Sequence, residues 1–331
     1  MNIATFTSKR FLVPGLLLLI LVLMATAPLY TAPGTIPLMT TILMYIILAV
    51  SWTMFSGPTG YISLASAAFF GCGIYASALL FERGAALLPL PAVIVIGGLI
   101  ASCFALIVGS ATLRLRGIYF TMFSFGLLEL ARRLFQYYEF YVTGVRGRYV
   151  GNVDVNTVYY IMLAILVATL LTVYFIRRSR LGLAMQGIGK NEEAAAHMGV
   201  NTTMVKVLTF ALSAFFMGAT GAIVATRWLY VDPTIAFNLN YSFLPLLMAI
   251  VGGVGQPYGP VVGGFAFAYL RHVLQSKTPY YFMLVFGAIM VVVILFLPGG
   301  LASLIERGRH RLRGVIPKLW KGGKAEQHAD T

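Results

Sequence analysis

Long apolar runs constrain the fold of this chain more than any other feature of its sequence. About ten of them approach the roughly 20 residues that a helix needs to cross the hydrocarbon core of a bilayer. Hydrophobic residues make up 59% of the 331 residues and charged residues only 10%, whereas a soluble domain averages about 25% charged residues. Long alternating strand patterns are absent, so the sequence predicts an all-α transmembrane bundle rather than a barrel.

Eight to ten of the predicted segments should cross the membrane. The glycine-rich third segment and the short eighth and ninth segments are candidates for re-entrant or broken helices. The predicted segments are 11–30, 36–56, 62–81, 88–112, 117–136, 157–176, 205–228, 242–255, 259–274 and 279–297. Residues 1–300 should therefore form one transmembrane domain with a polar loop at 177–204, followed by a basic tail at 301–331.

The positive charge is concentrated in two places. One cluster lies within 177–206 and the other within 307–324, while the net charge of the chain is +14. This asymmetry follows the positive-inside rule, so we expect both clusters and both termini to be cytoplasmic, with an even number of crossings. A nucleic-acid-binding patch would also be basic, but it would lack the flanking membrane segments, and we expect no nucleic-acid partner.

The N-terminus has two interpretations. Lys9-Arg10, the following apolar run and Ala25-Thr26-Ala27 resemble a secretory signal with a cleavage site. An uncleaved first helix would carry the same charges. We favour the uncleaved helix because the chain goes on to span the membrane repeatedly.

The polar loop contains the pattern of a short helix. Asn191 is a good N-cap, Glu192 and Glu193 fall in the first turn, where the helix dipole favours acidic groups, and Gly199 can end the helix in the left-handed conformation. The predicted helix and its flanks comprise Lys190, Asn191, Glu192, Glu193, Ala194, Ala195, Ala196, His197, Met198 and Gly199. Its small alanine face suits the groove of a larger partner, and a solvated connector explains the same residues equally well.

Several blocks, taken in order, resemble one known family. They are Gln186–Gly199 with Asn201 and Lys206–Ala214, Gly60–Leu64 with Ala67–Gly71, Leu115–Phe120, Gly252–Gly255 with Tyr258–Gly263, and Pro298–Leu301. Together they cover roughly residues 35–305. The chain resembles the membrane subunits of branched-chain amino acid ABC importers, of the LivM type, and the first block resembles the EAA-type coupling loop of such permeases.

The resemblance implies a function and a set of partners. The chain would be a permease subunit in the bacterial inner membrane, moving branched-chain amino acids or related small polar or amide solutes by alternating access. Its partners would be a second homologous permease, two cytosolic ATPases that bind ATP and Mg²⁺, an extracytoplasmic solute-binding protein and membrane lipid. Ala65-Ser66 replaces a frequent Gly-His pair and Tyr61 a frequent Gln, and 143–148 departs from a Gly-Gly-Ser-Asp-type stretch, so the substrate stays open between branched-chain amino acids, amides, urea and aromatic acids.

Two groups of small residues are candidates for a functional role in the bundle. A weakly binding pathway would suit Tyr61, Ser63, Ser66, Gly71 and Gly73. A hinge or close helix packing would suit Gly252, Gly253, Gly255, Gly259 and Gly263. Ordinary helix packing also explains the stripes Ser63, Ala67 and Gly71 and Ala214, Gly218 and Ala222.

The sequence gives little support to an enzyme, and we expect no cofactor or metal on this chain. Gly187–Asn191 departs twice from the phosphate-loop pattern, and the HExxH and GxSxG motifs are absent. Glu129 lies inside a predicted segment, but Arg132 and Arg133 follow on the same helical face, which predicts a structural ion pair. An ion-coupled secondary transporter is the alternative function, and it would need a coupling-ion site that the sequence scarcely provides.

Overall fold

The computed structural model describes residues 24–30, 33–82, 89–144, 146–151, 153–228, 230–256, 258–296 and 300–301. These residues form thirteen α-helices and one two-stranded antiparallel sheet. The helices are α1 (Ala27–Tyr30), α2 (Ile36–Thr59), α3 (Ser66–Glu82), α4 (Leu90–Thr112), α5 (Ile118–Tyr137), α6 (Val155–Arg178), α7 (Arg180–Lys190), α8 (Glu192–His197), α9 (Thr202–Ala225), α10 (Pro233–Ala236), α11 (Asn240–Gly252), α12 (Gly259–Lys277) and α13 (Phe282–Phe296). A 3₁₀ turn, Pro33–Thr35, precedes α2, and a π-helix, Tyr138–Thr143, continues α5. The strands β1 (Arg148–Tyr149) and β2 (Tyr230–Val231) pair antiparallel, with Arg148 opposite Val231.

The apolar runs become helices, as their length and composition predict. Each of the nine predicted segments from 36–56 onward corresponds to one long helix. Five stretches among the described residues are long and apolar enough to cross a membrane, namely 36–59, 90–112, 155–178, 202–225 and 233–252. The number of crossings therefore stays a prediction. Most of the first predicted segment and of the basic tail lies outside the described residues.

Helix α2 is the central helix of the bundle. Its residues from Ile42 to Ser56 are all buried, and it contacts α6, α9, α11 and α12. A helix that is apolar all round can be stable only if other helices or lipid surround it. The burial of α2 by its neighbours shows that the other helices are arranged around it.

Small residues let α9 pack closely against α3 and α4. A methyl group added at Gly73 would overlap the carbonyl group of Gly218, and one added at Gly218 would overlap Ala101. In lipid, where helices gain little from the hydrophobic effect, such close backbone contact supplies much of their association. The small-residue stripe through Gly218 is therefore part of the helix packing.

We expect Gly218→Leu to destabilise the bundle strongly. The added side chain has no space between α9 and α4, and overpacking of this kind typically costs about 1–3 kcal/mol. Gly126→Leu is the matched control, because Gly126 is exposed on α5 and has open space where its Cβ would lie. Melting curves of the two purified variants in detergent should show a lower midpoint for Gly218→Leu alone, and equal midpoints would contradict this packing role.

Candidate functional site

Helix α8 in the polar loop has a hydrogen-bonded cap at each end. The Asn191 side chain accepts a hydrogen bond from the backbone N–H of Ala194 at 3.0 Å. At the other end Gly199 has a φ of 83°, and the N–H groups of Gly199 and Val200 donate to the carbonyl oxygens of Ala196 (3.0 Å) and Ala195 (3.1 Å). This is the Schellman arrangement. The capping residues expected from the sequence therefore define both ends of the helix.

The alanines of α8 face two directions. Ala195 is buried and lies 3.8 Å from the position that a Cβ on Gly187 of α7 would occupy. Ala194, Ala196 and Met198 are exposed, Met198 to 86%. The inward alanine packs against α7, and the small exposed residues on either side of it leave the rest of α8 open to a partner.

A buried ion pair ties α8 to the bundle. The Lys206 ammonium group, at the start of α9, donates to the Glu192 carboxylate at 2.7 Å. Lys206 is only 1% exposed. The Tyr61 hydroxyl donates to the other carboxylate oxygen of Glu192, and the Lys206 ammonium lies 4.7 Å from the Tyr61 ring centroid. Because an unpaired charge inside a protein is costly, these three groups hold one another in place.

The protonation states of this network follow from its geometry. Burial opposes ionisation of Glu192, but hydrogen bonds from Lys206 and Tyr61 outweigh it, so the pKa of the carboxyl is lowered. Burial, reinforced by the Glu192 carboxylate, raises the pKa of the Tyr61 hydroxyl. At neutral pH the network therefore consists of a carboxylate and two donors that point at it.

A second contact from α8 lies on the surface. Arg116, in the turn after α4, donates to Glu193 at 2.7 Å, and both side chains are more than 60% exposed. Exposed pairs of this kind contribute little to stability, about 0–1 kcal/mol. The buried pair is therefore the stronger attachment.

The segment 60–65, which contains Tyr61, is non-helical although it lies within the bundle. Side chains from several helices hold its backbone. Trp52 and Thr121 donate to the carbonyls of Ser63 (2.8 Å) and Ile62 (2.9 Å). Ser242 of α11 donates to the carbonyl of Leu64 at 2.7 Å. Helix α3 therefore starts at Ser66 rather than at residue 62, and its preceding polar backbone is satisfied.

The structure places the candidate pathway residues inside the packing of this chain. A Cβ on Gly71 would collide with the ring of Phe237, and Gly73 lies against Gly218. Ser66 is 1% exposed, and its hydroxyl has no partner among the described residues. Tyr61 serves the ion-pair network. The role of these residues in a pathway stays a prediction. Close packing explains why glycine occupies positions 71 and 73.

Three of the five candidate hinge glycines lie at a close contact between α11 and α12. A Cβ on Gly252 would overlap the carbonyl of Gly259, and one on Gly263 would overlap the carbonyl of Met248. Gly253 has a φ of 105°, whereas Gly255 has open space around its Cβ position. The contact requires small residues, and a hinge at this point stays a prediction.

Two acidic side chains differ in their surroundings from what the sequence suggests. Glu129 does pair with Arg132 at 2.6 Å and with Arg133 at 3.0 Å, as expected, but it is partly exposed. The most deeply buried carboxylate among the described residues is Glu139, which is 3% exposed. Glu139 accepts hydrogen bonds from Tyr75 (2.9 Å) and from the backbone N–H of Gly147 (3.0 Å). It lies just beyond the fifth predicted segment, so a search confined to those segments misses it.

The comparisons with known proteins agree with the architecture. A family model described as "Branched-chain amino acid transport system / permease component" matches residues 34–294. This match covers more than half of the chain. The chain belongs to that family of ABC transporter permeases. The family and the apolar helices together indicate a multi-pass inner-membrane protein.

Individual members of the permease family match over different lengths. The high-affinity branched-chain amino acid transport system permease protein LivM of Escherichia coli K12 is 26% identical over 91% of this chain and 76% of its own length. LivH of the same organism is 28% identical over 42% of this chain and 45% of its own length. The ribose import permease protein RbsC of Haemophilus influenzae is 25% identical over 37% of this chain and 40% of its own length. These relatives are transport permease subunits, so they do not favour an ion-coupled secondary transporter.

We expect Lys206→Met to loosen α8. The variant leaves the Glu192 carboxylate without its counter-ion. Because that side chain is 16% exposed, the cost should fall below the about 3–5 kcal/mol of a fully buried pair. Hydrogen exchange at the amides of residues 194–198 should accelerate at least about tenfold. Arg116→Gln, which removes the exposed pair, should change exchange only slightly.

A double variant, Glu192→Gln with Lys206→Met, distinguishes the loss of the ion pair from the cost of leaving one charge unpaired. Because no single buried charge remains, it should recover part of the protection that Lys206→Met loses. Unchanged exchange in Lys206→Met would show that the ion pair does not hold α8.

Proposed function

We propose that this chain is a membrane-spanning permease subunit of an ABC importer and that α8 is its coupling helix. The observation that carries the proposal is the construction of α8, which is capped at both ends, anchored by the Glu192–Lys206 pair and exposed at Ala194 and Met198. A partner ATPase that binds α8 there would contact a rigid helix and not a flexible loop.

The partners we propose are those of an ABC importer. The exposed surface with Ala194 and Met198 would fit a groove on one of two cytosolic ATPases, which bind ATP and Mg²⁺. A second homologous permease would complete the pathway, and an extracytoplasmic solute-binding protein would deliver the substrate. With α8 on the cytoplasmic side, both termini would also be cytoplasmic.

A displacement of α8 would reach the bundle by two routes. Lys206 is the fifth residue of α9, so the ion pair transmits force directly to the helix that packs against α3 and α4. Tyr61 links α8 to the segment 60–65, whose backbone is bonded to α2, α5 and α11. These contacts would turn movement of one short helix into a change of the pathway between inward-open and outward-open states.

A cleft beside α7 leaves room for such a movement. It has a volume of about 240 Å³ and is lined by residues of α2, α6 and α7 and of the α11–α12 turn, among them Gly57, Arg177, Gln186 and Val254. Close packing resists displacement, so an incompletely filled region next to α7 favours motion of α7 and α8 together.

The substrates we propose are branched-chain amino acids or related small polar or amide solutes. Support comes from the length of the similarity to LivM, which spans most of both chains. Uptake of radiolabelled leucine, isoleucine and valine, competed with urea and an aliphatic amide, in vesicles containing the assembled importer would identify the class. Competition by urea or the amide alone would contradict the amino acid substrate.

We expect Ala194→Trp to abolish ATPase binding. Ala194 is exposed one helical turn before Met198 and lies on the side of α8 away from Glu192, so the indole would block close approach of a partner while the contacts of Ala195 and Glu192 stay intact. Ile107→Trp is the matched control, since Ile107 is 72% exposed on the apolar α4. Co-purification from native membranes should recover the ATPase with wild type and Ile107→Trp, but not with Ala194→Trp.

Two results would contradict the coupling assignment. One is full recovery of the ATPase with Ala194→Trp, which would place the docking surface elsewhere. The other is failure of wild type to retain any ATPase under the same gentle conditions. Ala195→Trp is a less informative variant, because Ala195 faces α7 and its replacement would displace α8 itself.

A further inference from the structure

A cleft at the opposite end of the bundle from α8 contains two arginines. It has a volume of about 220 Å³ and lies between the start of α2, the end of α9 and the last turns of α12. Helix α2 has 24 residues and is therefore about 36 Å long, which separates this cleft from the Glu192 network. Its polar lining includes Thr41, Tyr45, Arg227, Arg271, His272 and Gln275.

Among the residues that the structure describes, the two guanidinium groups have only neutral partners. Arg227 donates to the Thr41 hydroxyl at 3.4 Å, which is a long hydrogen bond. Arg271 donates to the Tyr45 hydroxyl and lies 5.2 Å from the Tyr45 ring centroid and 5.9 Å from that of Phe282. Each guanidinium carries five N–H donors. The buried Nε of Arg271 has no hydrogen-bond acceptor among the described residues.

The acidic residues that the structure describes are engaged elsewhere. The sequence has ten of them, and seven lie in the part of the chain that the structure describes. Five of the seven pair with other cations, namely Glu82, Glu129, Glu139, Glu192 and Glu193. Asp154 and Asp232 cap α6 and α10. The other three, Glu306, Glu326 and Asp330, follow residue 301.

We propose that this cleft is an oxyanion-binding site that takes one carboxylate or phosphate group. Two half-buried arginines without a carboxylate partner among the described residues place positive charge in a concave region, and His272 and Gln275 add further polar groups at its edge. Arginine binds planar and tetrahedral oxyanions through paired N–H donors, and the same charge repels metal cations. Arg271 also lies near the rings of Tyr45 and Phe282. This proposal does not depend on the function of α8.

Site-resolved labelling of arginine by phenylglyoxal tests the proposal on the full chain. The protein, with any subunits that it retains, is placed in phosphatidylcholine nanodiscs, and labelling at Arg227 and Arg271 is followed by mass spectrometry. Acetate or inorganic phosphate should slow labelling at both positions by about tenfold relative to chloride at equal ionic strength, because a bound oxyanion occupies the reacting N–H groups. Arg146, which is exposed in the loop before β1, is the internal control.

The source of the oxyanion is distinguished by a second arm. Protection in nanodiscs that contain phosphatidylglycerol, with no soluble anion added, would assign the site to a lipid headgroup. Protection only by acetate or phosphate would assign it to a soluble anion. Equal protection of Arg146, or no protection in either arm, would overturn the proposal.

Two charge-matched variants show whether the arginines act together. Arg227→Gln should weaken the anion's protection of Arg271 about tenfold, whereas Lys277→Gln, at the exposed end of α12, should leave it unchanged. An identical loss in both variants would mean that general charge, and not this cleft, attracts the anion. Labelling of the wild type decides the proposal even if Arg227→Gln fails to fold.

Discussion

A lysine buried at the start of a membrane helix is the constraint on which the candidate site depends. Lys206 lies between valines in an apolar run and is almost fully enclosed, so its charge must be compensated from within the protein. Glu192, in the first turn of α8, provides the carboxylate, and Ala195 of the same helix lies against α7. Electrostatics and packing therefore both hold α8 in place.

The same contact connects two kinds of structure that have different stabilities. The bundle around α2 and the close crossing of α9 with α3 and α4 are held by tight backbone contact, which permits little adjustment. The loop from Arg180 to Gly199 lies beside an unfilled cleft. Its α7 packs on α2 through Gly189, whereas α8 is held by its caps, by the contact of Ala195 with α7 and by the Glu192–Lys206 pair. Movement is therefore expected to concentrate at α7 and α8, while α9 behaves as a rigid element.

The sequence predicts the helices well because the length and apolar composition of a segment identify it as a membrane helix. Nine predicted segments match helices, and the caps at Asn191 and Gly199 are local signals that the structure confirms.

Contacts between residues that are distant in the sequence are harder to predict. Neither the Tyr61–Glu192 contact, which joins residues 131 positions apart, nor the burial of Glu139 can be derived from spacing. A lysine inside an apolar run was the one available signal, since it requires a buried partner. It does not identify that partner.

The central claim is that the Glu192–Lys206 pair transmits movement of α8 to the bundle. The most direct test measures solute uptake and ATP hydrolysis together in vesicles that contain the assembled importer, for wild type and for Lys206→Met. The claim predicts that the variant still binds the ATPases and hydrolyses ATP, while the amount of solute moved per ATP falls at least about tenfold. A wild-type ratio of transport to hydrolysis in Lys206→Met would contradict it.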